Sequence, residues 1–430
     1  MTGHMKYLEQ CIATLRQTCG LLPDKRTGDN CNYSMADIGM AAFSMFFMQH
    51  PSFLDFQRTL TENTGQNNTQ TLFNLGKIPT DNHIRKMLDG VEPAYFEQSF
   101  FTCLDALGNN IHLLKNVLDG HTLIALDGSE YFCSRKVSCQ ACSTRKSPDG
   151  GQEFFHTFLA ATIVAPGRQE VFCLPPEFIR PQDGDKKQDC ELKAAKRWFE
   201  RIGPACNKYN PIYLGDDLYA KNDICKSILE QGGSFIFTCK DTSHKTLAEF
   251  RKNLKLSTHA ETHGTGSQKR KYQYTWVCEL PIRDGIEALP VNWFDISIVN
   301  PTGKTTYHAS FITNLSPSKE NIAELSSCAR ARWKIENETF NVLKNNGYHL
   351  EHNFGHGQKT LASVLVVLNL LAFSLHNACD LLERQWQKAR EACGTRSRLF
   401  IHLWSITRYH VFQSWDSLMG TLITGRPPPG

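Results

Sequence analysis

Three carboxylates and a guanidinium carry the chemistry that this sequence offers. Asp127 falls near the end of the apolar run TLIALDG (122–128), and Asp216 near the end of PIYLGDD (211–217). Glu336 lies in RARWKIENETFNVLKNNG (330–347), one helical turn after Arg332. The two apolar runs read as buried strands. Trp333, Ile335, Phe340, Val342 and Leu343 fall at spacings that seat a helix on a core. Ligands gather at strand ends in an open α/β sheet, and carboxylates brought together there repel unless divalent cations neutralise them. Hard oxygen donors favour Mg²⁺ or Mn²⁺, which bridge to phosphate oxygens. Two such ions about 3.5–4 Å apart activate a water or a 3′-hydroxyl and steady the leaving oxygen of an in-line displacement. Each acid also has a plain structural reading. Asp127 fits the Asp-Gly pair of a turn, Asp216 the N-cap of the next helix, and Glu336 a surface ion pair with Arg332.

The elements that must position these groups are legible from composition and pattern. At 430 residues the chain implies two or three structural regions, and 41% hydrophobic with 21% charged residues implies a folded, soluble protein. A net charge of +4 and a pI near 8.3 permit a nucleic-acid partner only through local basic clusters, since a strong footprint has a pI above about 9. The start, MTGHMKYLEQCIATL, lacks a secretory pattern. The run LASVLVVLNLLAFSLH (361–376), broken by Ser363, Asn369 and Ser374, reads as a buried helix and not a membrane span. Sixteen cysteines without a signal sequence point to a reducing cytoplasm.

Residues 1–118 read as helical. IPTDNHIRKMLDG within them offers a helix start at Thr80 or Asp81 and a stop at Gly90. That short helix carries His83, Arg85 and Lys86, which suit either DNA phosphates or a solvated face. Strands follow at 122–128, 154–166 and 169–175, then a basic amphipathic helix at 185–203, a strand at 211–217, a helix at 217–233 and a strand at 234–240. This order describes a mixed α/β sheet. Residues 241–305 change character, with a polar loop, HAETHGTGSQKRK, between β-like pieces, and read as a β-rich insertion. HASFITNL (308–315) returns to core strand.

A second constellation is Cys133, Cys139, Cys142 and His156, with Cys139 and Cys142 in C-x₂-C spacing. It fits a structural Zn²⁺ tying the loop between the first two strands. Arg135, Lys136, Arg145 and Lys146 around it would press on DNA; the alternative is ordinary core packing. His352 and His356 read as structural more readily than as ligands. NFGHG (353–357) is either a loop whose amides meet phosphate at the next helix start or simple helix capping.

Taken together, LIALDGSEYF, YLGDDLYA and RWKIENETFNVLK resemble the catalytic signature of bacterial insertion-sequence transposases of the DDE superfamily. They are nearest the cut-and-paste group marked by a Tyr, Arg, Glu, Lys acidic helix, and YHLEHNFGHG and the tail TRSRLFIHLWSITRYHVFQSWDSL resemble one subgroup's sequences. The resemblance implies a ribonuclease-H-like mixed-sheet core flanked by helical N- and C-terminal regions, with a β-rich insertion between the second and third acids. The implied division is a DNA-binding region at 1–118, core at 119–240, insertion at 241–305, core at 306–380 and a helical end at 381–430. It also implies that Asp127, Asp216 and Glu336 hold two Mg²⁺ (or Mn²⁺) ions for cleavage at transposon ends and strand transfer. The expected partners are double-stranded DNA, as terminal inverted repeats and target, and a second copy of the chain, with no membrane. Asp216 is preferred to Asp217 because Leu218 and Tyr219 meet the family's apolar and aromatic positions. Arg332 is expected on a DNA phosphate. The acidic helix departs from its pattern at Ala329, where Tyr is expected, and at Leu343, where Lys is expected. Lys344 stands one residue on, about 100° further round an α-helix. Glu338 is the reserve acid. These departures leave open a decayed or domesticated DNA-binding protein, and the core alone fits a metal-dependent nuclease without strand transfer.

Overall fold

The computed structural model describes residues 5–28, 31–61, 63–108, 114, 118–181 and 189–426. Its centre is one mixed sheet. The strands are β1 (Thr122–Ser134), β2 (Ser143–Lys146), β3 (Gln152–Val164), β4 (Phe172–Cys173), β5 (Glu177–Ile179), β6 (Pro211–Gly215), β7 (Ser234–Thr238), β8 (Ser257–His263), β9 (Arg270–Pro281), β10 (Pro290–Val299) and β11 (Thr305–Thr313). They run in the order β2-β3-β1-β6-β7-β11-β10-β9-β8, with β4 and β5 also paired to β3. β1 is antiparallel to β3 and parallel to β6, and β6 is parallel to β7. The runs LIAL, IYL and FIF at the centre of β1, β6 and β7 are buried without alternation, the pattern of strands covered on both faces.

Two sequence expectations change here. The Asp127-Gly128 pair is not a turn: β1 continues to Ser134 because Gly128 to Glu130 and Phe132 to Ser134 find antiparallel partners on β3. The strand expected at 169–175 contracts to Phe172–Cys173. The β-rich stretch is continuous with the sheet. β11 bonds β7 through Phe311, Ile312 and Thr313, and β10, β9 and β8 extend from it.

Helices from both ends of the chain pack around the helix Leu361–Leu382, which lies against β4 of the sheet. Glu383 Oε1 accepts the backbone N–H groups of Tyr7 (2.8 Å) and Leu8 (3.2 Å), and Trp415 donates its indole N–H to the Leu72 carbonyl at 2.9 Å. The N-terminal and C-terminal helical regions therefore pack on one another. Between them runs Leu361–Leu382, which is long and apolar enough to cross a membrane; 94% of its most apolar window is inside the protein, so it is a core helix. Each residue that interrupts its apolar run has a partner on another element. Ser363 meets the Tyr131 hydroxyl (3.2 Å), Asn369 donates to the Tyr348 carbonyl (2.9 Å), and Ser374 Oγ accepts the Cys173 N–H (3.0 Å).

The start of this helix holds an anion, and that anion is Asp89. Its carboxylate accepts N–H groups from Gln358 (2.9 Å), Lys359 (3.0 Å), Thr360 (3.1 Å) and Leu361 (3.2 Å). The amides after NFGHG are thus taken by the protein's own carboxylate and not offered to phosphate. Burial raises the pKa of Asp89, but the four donors outweigh it and hold the carboxyl below the usual range. Asp89→Ala is expected to lower stability to urea by about 1–2 kcal/mol, the size of a lost N-cap. Because the folded carboxyl is the stronger acid, this contribution is present above pH ~4 and fades as pH falls through the folded value. The difference between variant and wild type should therefore shrink in acid.

Candidate active site

Register places the first two acids. Ala125 of β1 faces Leu214 of the parallel β6, so Asp127 and Asp216 each follow, two residues on, from a paired position at the end of β6. Asp216 Oδ1 accepts the Leu218 N–H at 2.8 Å and the residue is partly exposed. Asp217 is occupied elsewhere: it accepts the Lys240 N–H at 2.6 Å and lies 3.3 Å from His244 Nε2.

Glu336 reaches this pair through Arg332, whose Nη1 is 2.8 Å from Glu336 Oε1 and 4.0 Å from Asp127 Oδ2. Arg332 therefore sits among the acids, with its side chain 22% exposed, and not out on the surface. Burial pushes Asp127 up to about 7; Glu191 adds to the shift, Arg332 opposes it and Glu336 adds further.

Glu191 is the acid that sequence reasoning missed. It opens the helix Glu191–Arg201, and its Oε1 accepts the hydroxyl of the fully buried Tyr219 at 2.6 Å. Burial pushes its carboxyl above the usual range, Tyr219 opposes, and Asp216 adds to it. A Cβ on residue 128 would stand 2.4 Å from Glu191 Oε2, so Gly128 is there for close approach and not for a turn. An isolated Gly within an apolar strand was the available signal.

The acidic helix is not uniform. An α-helix, Ile322–Arg330, passes through a tight turn at Ala331–Trp333 into a π-helical segment, Ile335–Phe340, and back to α at Asn341–Asn345. The Asn341 N–H donates to the Glu336 carbonyl, five residues back, so this turn absorbs one extra residue. Lys344, eight after Glu336, thereby takes the angular place of a residue seven after it in an unbroken α-helix. The apparent displacement of Lys344 in the sequence is cancelled by the backbone. It pairs with Glu351 at 2.8 Å. Glu338 lines a separate hollow with Asp380, Arg390 and Arg396.

Of the other basic candidates, Lys86 is exposed, whereas Arg85 is engaged within the fold. Arg85 Nε donates to the Phe354 carbonyl at 3.0 Å, the guanidinium pairs with Asp81 at 3.3 Å, and it lies over the Phe53 ring. Arg135 pairs with Asp149 and Glu153, and Arg145 with Glu130 and Glu153, which leaves Lys136 and Lys146 as exposed cations of that loop.

The cysteine and histidine candidates divide. Cys139, Cys142 and His156 converge, joined by His356, with ligand atoms all within 4.8 Å of one another. Cys133 lies outside this group. It is exposed on β1 beside Arg145 and Glu153, on the far side of the irregular pairing between Glu130 and Phe132. Burial pushes His156 down to about 4 and Cys142 up to about 11. Proximity in sequence favoured Cys133; the fold brings His356 from 200 residues away instead.

In a double-mutant cycle, Tyr219→Phe and Glu191→Ala are expected to couple by about 1–3 kcal/mol in urea unfolding, because the pair shares one buried hydrogen bond to a carboxylate. Simple additivity would contradict that contact.

Residues 148–373 match the family model described as transposase DDE domain. The matched segment includes Asp216 and Glu336 and begins after Asp127. No curated relative matches the chain.

Proposed function

We propose that this chain, which belongs to the transposase DDE-domain family, cleaves DNA at the ends of a mobile element and joins those ends to a target, using Asp127, Asp216 and Glu336. The observation that carries this reading is the parallel β1–β6 register, which sets two acids side by side, with the third linked to them through Arg332. The antiparallel β3–β1 pair followed by parallel β6 and β7 supports a ribonuclease-H-like core, with β8 to β10 as the insertion.

The donor set suits Mg²⁺ or Mn²⁺. It is all carboxylate oxygen, four acids with Glu191 crowd together, and Arg332 is the cation paired among them. When bound, such ions supply a nucleophilic oxygen and stabilise the leaving oxygen. The chain's residues do the rest. β1 and β6 fix the separation of Asp127 and Asp216. Arg332 balances part of the acidic charge and orients Glu336. Tyr219 holds Glu191 against Gly128. Lys344, returned by the π turn to the face expected of it, and the exposed Lys86 are assigned to DNA phosphates. The π turn favours an intact enzyme over a decayed relative. The reading includes a homodimer on paired double-stranded DNA ends in the cytoplasm, with residues 1–118 contributing to DNA binding.

The test is incubation with Mg²⁺ and DNA from the flanks of the chain's own locus, mapping cuts and joined products. Asp127→Asn, Asp216→Asn and Glu336→Gln are each expected to lower cleavage by on the order of 10³-fold or more, with chelation abolishing it. Lys344→Ala should reduce the salt dependence of DNA binding by about one charge. Wild-type cleavage by the Asp127 or Glu336 variant would refute the assignment, and cutting without joining would favour a nuclease.

A further inference from the structure

The geometry points to a structural Zn²⁺ site formed by Cys139, Cys142, His156 and His356, which fastens the β1–β3 hairpin to the loop between the acidic helix and the core helix. It lies outside the carboxylate site and stands independently of the transposase reading.

The distances carry the argument. With Zn–S near 2.3 Å and Zn–N near 2.0–2.1 Å, a tetrahedral ion sets its ligands about 3.8 Å apart for S···S, about 3.5 Å for S···N and about 3.3 Å for N···N. The structure has Cys139 Sγ to Cys142 Sγ at 3.9 Å, Cys139 Sγ to His156 Nε2 at 3.6 Å and Cys142 Sγ to His156 Nε2 at 3.4 Å. Cys142 Sγ to His356 Nε2 is 3.4 Å, and the two imidazole Nε2 atoms are 3.1 Å apart. Five edges of the tetrahedron are thus present at the lengths zinc requires, and a Cys₂His₂ donor set selects that ion over Mg²⁺.

The surroundings also match. The Cys139–Cys142 loop closes on itself, with the Cys142 N–H on the Cys139 carbonyl (3.2 Å) and the Cys139 N–H on Cys142 Sγ (3.4 Å), a donor that favours a thiolate. His356 Nδ1 donates to the Gly357 carbonyl at 3.0 Å, which fixes the tautomer and leaves Nε2 bare toward the centre. Cys142, His156 and His356 are buried, and four protein ligands complete the shell without an open position, so the ion holds structure and does no catalysis. What it fastens matters: the loop bearing His356 leads into the helix start capped by Asp89, and the hairpin continues β1, the strand of Asp127.

The test measures metal content of the purified full chain by mass spectrometry, and the visible spectrum of protein expressed with Co²⁺ in place of Zn²⁺. Close to one Zn²⁺ per chain is expected, with the intense bands of tetrahedral Co²⁺ bound by thiolate. Cys142→Ser and His356→Gln should lose the zinc, whereas Cys133→Ser and the exposed neighbour His352→Gln should keep it. Should the ligand variants fail to fold, the wild-type zinc content and Co²⁺ spectrum still decide. Wild-type protein without zinc, a six-coordinate Co²⁺ spectrum, or zinc lost equally from Cys133→Ser would overturn the proposal.

Discussion

Like charges held close in a partly buried place are the constraint on which the rest of this structure depends. β1 and β6 are apolar because both faces are covered, and their parallel register leaves Asp127 and Asp216 no choice but to stand together where β6 ends. Glu191 comes in over Gly128 and Glu336 arrives on the acidic helix. Repulsion among four acids is answered within the protein by Arg332 and by the Tyr219 hydroxyl. Burial first, and the neighbouring acids after it, still push Asp127 and Glu191 upward, and crowded oxygen donors of this kind suit a divalent cation.

The periphery makes that crowding tolerable by removing freedom elsewhere. The core helix Leu361–Leu382 is held at its start by Asp89 and along its length by hydrogen bonds from Ser363, Asn369 and Ser374 to other elements. Helices from the two ends of the chain lock onto each other through Glu383 and Trp415. The sheet and the acidic helix therefore meet as fixed parts. Preorganisation of this kind lets like charges be held close within the folded chain.

Much of this was legible in the residues. Runs such as LIAL and IYL announce buried strands, because that signal is local. What stayed hidden depends on contacts distant in sequence. Asp127-Gly128 has the form of a turn, yet β3 pairs through it and Glu191 needs the bare backbone of Gly128. NFGHG has the form of a phosphate loop, yet Asp89, some 270 residues earlier, fills it. Cys133 stood closer in sequence to the C-x₂-C pair than His356 did, yet His356 meets it in space. Lys344 looked misplaced only because α-helical spacing was assumed across a turn that is π-helical.

On the proposed reading, Asp127, Asp216 and Glu336 share bound divalent metal. Replacing that metal with Fe²⁺ and generating hydroxyl radicals with ascorbate and peroxide would cut the chain wherever the ions sit. Cuts are expected in β1 near 127, at the end of β6 near 216 and in the π-helical segment near 336, all lost in Asp127→Asn. Cuts confined to other regions, or unchanged in that variant, would contradict it.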